Sequence, residues 1–137
     1  MWIPIQINEN SAEPLYHQIE IQLKSLIVSG QLEEGTLLPS IREFASSLNC
    51  SVITVRRVYQ DLENEGLLRT KQGTGTFVAN VAAGERDEYK RAVVQKAVEA
   101  AVDTGISVQY SSQELKKLFL DILQIKYKDA GKGGDQE

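Results

Sequence analysis

The stretch from Leu38 to Tyr59 admits few folds. Pro39 followed by Ser40 opens a helix, with Ser40 as its N-cap and Glu43, three residues on, completing a capping box. Ile41, Phe44, Ala45 and Leu48 then mark one apolar face at helical spacing. Asn49 and Cys50 interrupt the pattern, and Ser51 is the N-cap of a second, longer helix whose apolar stripe is Val52, Val55, Val58, Tyr59 and Leu62. Two helices joined by so short a break must turn a sharp corner, the form of a helix-turn-helix. The second helix carries Ser51, Val52, Ile53 and Thr54 at its start and Arg56 and Arg57 one turn on. A helix-turn-helix presents that end to the DNA major groove.

The flanking segments extend this unit. Ile3, Ile5 and Ile7 alternate with Pro4 and Gln6, which predicts a short strand or extended arm, and Trp2 is expected to pack. A first helix starts near Pro14, buries Leu15, Ile19, Leu23, Leu26 and Ile27, and stops at Gly30. Leu32, Gly35, Leu37 and Leu38 read as a connection that buries leucines. His17, the single histidine, reads as a surface side chain and not a metal ligand. The recognition helix is expected to end at Gly66. Leu67 to Val78 then predicts two short strands around a glycine turn, a hairpin placed as a wing. Its basic and polar tip is Arg69, Lys71, Gln72, Gly73 and Thr74. The alternative, a phosphate-cradling loop at Gly73-Thr74-Gly75-Thr76, lacks the following helix and lysine that such loops need.

Residues 80–84 read as a linker. Beyond it, Tyr89, Val93, Ala97 and Ala101 repeat every four residues along a helix from Glu85 to about Asp103, ended by Gly105. Ser111 and Glu114 form another capping box, followed by the stripe Leu115, Leu118, Phe119, Ile122, Leu123 and Ile125. The segment 129–137 reads as a disordered tail. Two helices cannot cover two such broad faces by themselves, so residues 85–128 read as a homodimerisation unit, with Tyr89, Val93, Ala97, Leu115, Leu118, Phe119, Ile122 and Leu123 at its interface. A unit of that size has little room for a pocket of about 300 Å³ or more, and any small-molecule effector stays unidentified. The fold expected is mainly α with a small β-hairpin wing, residues 1–79 forming the winged domain.

Charge gives no support by itself. The net charge is −4, and residues 1–80 hold 6 basic and 9 acidic side chains. Distribution matters more than the total. Arg42, Arg56, Arg57, Arg69 and Lys71 cluster in and just after the helix-turn-helix, whereas Glu9, Glu13, Glu20, Glu33 and Glu34 precede it. One cysteine, Cys50, excludes an internal disulfide. No apolar run reaches the roughly 20 residues of a membrane span, and the N-terminus shows no secretory pattern, so the expected location is the cytoplasm.

The blocks Pro14-Leu15-Tyr16-His17-Gln18-Ile19, Leu38 to Ala45, Thr54 to Tyr59, Leu62 to Leu67 and Gly73 to Val78 together resemble the GntR-type winged-helix regulators over residues 8–79. The N-terminal arm and short helical C-terminal part look like the YtrA subfamily. The resemblance implies a bacterial repressor that binds a palindromic double-stranded DNA operator as a homodimer. It assigns DNA contact to Arg42, Ser51, Arg56, Gln72 and Gly73. Many members carry an arginine directly after the residue that opens the recognition helix, and here that position is Val52. Val52 and Ile53 can at most touch thymine methyls.

The candidate DNA-facing set is thus Ser40, Arg42, Ser51 to Thr54, Arg56, Arg57, Tyr59 and the wing tip. Arg42 either reaches DNA or pairs with an acid such as Glu43. Adjacent arginines point about 100° apart, so Arg56 is expected to face DNA and Arg57 a phosphate or Asp61. Tyr59 reads as core or phosphate-adjacent. No paired carboxylates, nucleophile with base, or metal-ligand spacing points to an enzyme, and no cofactor is expected. A winged helix that binds protein without reading DNA is the alternative, disfavoured by the arginine cluster.

Overall fold

A computed structural model describes residues 3–130. The elements in order are α1 (Leu15–Val28), α2 (Ile41–Leu48), α3 (Val52–Asn64), β1 (Leu68–Lys71), β2 (Gly75–Val78), α4 (Ala83–Ser107) and α5 (Ser112–Ala130). They divide into two compact units, Met1–Lys90 and Arg91–Glu137.

In the first unit the apolar stripes meet as their spacing requires. Ile19, Leu23 and Ile27 of α1, Phe44 of α2, and Val55, Val58 and Leu62 of α3 are all essentially inaccessible. Leu67, Leu68, Val78 and Val81 close the core beneath the hairpin. Both expected caps of the helix-turn-helix form. The Glu43 amide donates to Ser40 Oγ at 3.1 Å and the Ser40 amide to Glu43 Oε1 at 3.0 Å. Between the helices Asn49 adopts the left-handed conformation, φ 57°, and its amide turns back on the α2 carbonyls. Asparagine tolerates that region better than most residues, which lets the chain turn there.

β1 and β2 pair antiparallel, with Leu68 opposite Val78 and Lys71 opposite Gly75. Gly73, at φ 82°, makes the turn. The connection after α1 joins this sheet, which its sequence does not announce. The Leu38 amide donates to Thr76 O and the Val78 amide to Thr36 O, both at 2.9 Å. Pairing Leu37 with Phe77 points the Leu37 side chain outward, 51% exposed. Leu32 and Leu38 are buried as expected, and Leu37 is not.

The N-terminal arm is extended without being a strand. Ile3 is buried and Ile5 and Ile7 pack on the core, while the outward residues find side-chain partners. Gln22 Nε2 donates to Gln6 O at 2.7 Å and its Oε1 accepts from the Gln6 amide at 2.9 Å. Gln18 holds Asn8 in the same way, at 3.1 and 2.9 Å. Two glutamines one helical turn apart thus replace the neighbouring strand of a sheet. The expected packing of Trp2 lies outside the described residues.

The stretch 80–84, expected as a linker, holds the buried Val81 and the start of α4. Tyr89 is half-buried against the first unit's core, and its hydroxyl donates to Glu65 O at 2.9 Å. Lys24 Nζ lies 5.4 Å from its ring centroid. Tyr89 therefore leaves the dimer set. It opened the stripe that repeats every four residues, but its side chain packs within the first unit, on Lys24 and the end of α3.

In the second unit α4 runs through Gly105 to Ser107, two residues past the expected stop. Gly105 stays helical and is buried where Leu115 packs over it, and a Cβ there would lie in ordinary van der Waals contact, 3.5 Å from Leu115 Cδ2. Gln109, at φ 58°, ends the turn instead. The Ser111–Glu114 capping box forms as expected, at 3.0 and 2.9 Å, and α5 continues through Asp129 and Ala130. The remainder of the expected tail lies outside the described residues. In α5 every side chain except Leu115 is exposed. No helix among the described residues is long and apolar enough to cross a membrane.

Candidate nucleic-acid interface

Three elements converge on one cleft of about 500 Å³, between α2, the start of α3 and the wing. Ser40 and Arg42 come from α2's first turn, Val52 and Arg56 from α3, and Thr74, Gly75 and Thr76 from the wing. Each arrives by a local rule. The Ser40 capping box sets where α2 begins, and so where Arg42 projects. Ser51 caps α3 by accepting from the Thr54 amide at 3.1 Å, which fixes the register that puts Arg56 one turn inside. The wing is braced on α3 through Glu63, whose carboxylate accepts from the Thr70 amide and hydroxyl, both at 3.2 Å.

The cleft carries two arginines and one carboxylate, Arg42, Arg56 and Glu43. Arg42 and Arg56 are exposed and form no ion pair among the described residues. Glu43, the expected competitor for Arg42, is occupied by the Ser40 cap. Arg57 is the opposite case. Its guanidinium stacks 3.6 Å from the Tyr16 ring centroid, and its Nε lies 3.8 Å from Asp61. It is held toward α1, away from the cleft, so the pairing with Asp61 is the one the structure adopts.

Other candidates separate by burial. Ile53 is 75% exposed, while Val52 packs on the core. Thr54 is half-buried and its hydroxyl is bonded to Ser51 Oγ at 2.8 Å. Tyr59 is corrected: its ring is buried beside Phe44, and its hydroxyl donates to Pro39 O at 2.7 Å. Burial, reinforced by the nearby Glu43 charge, pushes its phenol well above the ordinary range. It supports α2 from beneath and has no free group for DNA. Arg69, Lys71, Gln72, Gly73 and Thr74 are all exposed at the wing.

Cys50 is partly buried in the turn, and desolvation raises its thiol pKa, which opposes thiolate chemistry there. His17 lies 3.4 Å from Glu13, one turn away on the surface. Among the described residues no cluster of metal-ligating side chains occurs. Two positions were missed in the sequence. Leu37 lines the cleft, a consequence of a long-range pairing with no local mark. Gln60 is exposed on the outward side of α3, seven residues on from Ile53, and does not line the cleft.

Comparison with known proteins agrees with this geometry. The family described as bacterial regulatory proteins, gntR family, matches residues 15–78. The chain is 34% identical over 114 residues to the HTH-type transcriptional repressor YtrA of Bacillus subtilis (strain 168), covering 83% of this chain and 85% of the relative. Among solved structures, a transcriptional antiterminator from Listeria monocytogenes EGD-e superimposes with a TM-score of 0.68 at 32% identity, covering 96% of this chain and 95% of that one. The AraR DNA-binding domain in complex with operator ORX1 superimposes with a TM-score of 0.50 at 29% identity, over 56% of this chain and 96% of that one.

Proposed function

From the premise that the chain belongs to the GntR family and is a non-enzymatic DNA-binding transcriptional regulator of that type, we propose that it is a repressor that binds a palindromic operator as a homodimer in the cytoplasm. Residues 1–79 serve as the DNA-binding domain with its arm, and residues 85–128 as the dimerisation unit. The observation that carries the proposal is the cleft on which Arg42, Arg56 and the wing converge, the two arginines forming no ion pair among the described residues. A cationic cleft beside a protruding helix start is what a B-DNA duplex requires. The helix enters the major groove, and the flanking arginine and wing grip backbone on either side. Ser40, Ser51 and Thr54 offer their exposed edges at the same surface, while Lys71, Gln72 and Gly73 lie where the wing meets phosphate or minor groove.

Support for the dimer comes from the second unit. Val93, Val94, Val98 and Val102 of α4 are 38–61% exposed, and Leu118, Phe119, Ile122 and Leu123 of α5 are 38–49% exposed. These exposed apolar side chains recur along both helices, which single scattered surface hydrophobics do not. A second copy supplies the matching face, and Ala97 is small enough to let helices approach there. A dimer carries two recognition helices, and a two-fold protein reads a two-fold site.

Selection of duplexes from a random pool tests this directly. The expected product is an inverted repeat whose half-sites lie about one helical turn apart, or a multiple of that. Recovery of no enriched sequence would overturn the proposal.

A further inference from the structure

Ile53 is the most exposed large hydrophobic side chain among the described residues, at 75%, and it stands at the tip of α3. Successive helical residues are about 100° apart. Leu62, fully buried, is nine residues on, about two and a half turns, so Ile53 points directly away from the core. Its neighbours on the outward side are Arg56 and Gln60, both polar and exposed, while Arg57 is drawn aside onto Tyr16. A polar residue would satisfy helix, core and solvent at this position, and an aliphatic one leaves an apolar group in water unless a partner covers it.

We infer that Ile53 is a specificity-determining residue that reads the C5-methyl group of a thymine in the major groove. The inference rests on the proposal that α3 enters that groove. The thymine methyl is the apolar group on the major-groove base edges, whereas guanine and cytosine present hydrogen-bonding atoms there. A branched aliphatic side chain gains from the first and leaves the second dehydrated and unpaired, so it selects A·T both by contact and by rejection. Val52, packed on the core, does not share this role. The position beside the capping serine is therefore read by its neighbour.

Single thymine-to-uracil exchanges across the selected duplex remove one methyl and keep base pairing. The expected result is that wild-type protein loses about fourfold in affinity at one or two positions. Ile53→Ala binds thymine and uracil versions equally, and Ile53→Val keeps part of the difference. Replacing the sensitive base pair by C·G weakens wild-type binding, and 5-methylcytosine at that position restores part of it. Ile53 is exposed, so both variants are expected to unfold at the wild-type temperature. Uniform uracil tolerance by the wild type, or an unchanged uracil penalty in Ile53→Ala, would overturn the inference. An enriched site with no uracil-sensitive position removes this inference alone. A pool that enriches nothing removes the operator proposal with it.

Discussion

The Arg57 guanidinium lies 3.6 Å from the centroid of the Tyr16 ring, so α1 holds the second of two adjacent arginines while the first, Arg56, lines the cleft with no ion pair among the described residues. Side chains that look equivalent in sequence thereby take different work. Arg57→Ala is expected to lower unfolding stability by roughly 0.5–1 kcal/mol, the scale of an exposed cation–π contact, and to leave operator affinity nearly unchanged. Arg56→Ala is expected to leave the melting temperature alone and weaken operator binding by about 1–3 kcal/mol if it reads a base. Thermal melts and binding titrations on the same two variants separate the roles.

The turn between α2 and α3 depends on Asn49 at φ 57°. Asn49→Gly is expected to fold with little change in stability. Asn49→Val, whose branched side chain is strained there, is expected to lose about 1–2 kcal/mol. Urea unfolding of the pair checks it.

The helix-turn-helix was legible because its signals are local. Ser40, Glu43 and Ser51 cap helices within four residues of themselves, and the Gly73 turn sets the hairpin. What was not legible depends on residues distant in sequence. Nothing near Tyr59 says that its hydroxyl meets Pro39, twenty residues earlier, and nothing near Tyr89 says that it meets Glu65. The stop expected at Gly105 falls later, because Gly105 keeps helical backbone and the left-handed residue that turns the chain is Gln109. The Gln18 and Gln22 pairs with the arm could have been suspected only from two glutamines spaced one turn apart.

Glu20 carries a proton at neutral pH more readily than an ordinary glutamate. Desolvation, the proton that its acid form can share with the Asp61 carboxylate, and the Asp61 and Glu65 charges raise its pKa from 4.5 to about 7, against the opposing pull of Lys24. Its Oε1 is buried without a hydrogen-bond partner, so the ionised form is left short of a donor. The folded state therefore binds this proton more tightly than the unfolded chain. The stabilising contribution is complete below pH 4.5 and is lost as pH rises through about 7. Glu20→Gln, neutral at every pH, is expected to flatten the fall in melting temperature between about pH 5 and 8, with its largest advantage at the alkaline end. Parallel wild-type and variant profiles would contradict this.

Charges placed on the bare face of α5 should separate the protomers. Phe119→Asp combined with Leu123→Asp, at positions 49% and 38% exposed, is expected to convert a dimer into a monomer by light scattering at micromolar concentration. Operator affinity should fall with it, because one helix-turn-helix then grips one half-site. The first unit's core, remote in sequence from both positions, is expected to keep its melting transition.

The most direct test of the account is the mass of the protein–DNA complex on the selected duplex, measured by light scattering. The expected mass is two chains on one duplex carrying the inverted repeat, with affinity collapsing when one half-site is scrambled and with Arg42→Ala or Arg56→Ala weakening it. One chain per duplex, or equal binding to matched and scrambled DNA, would contradict the account.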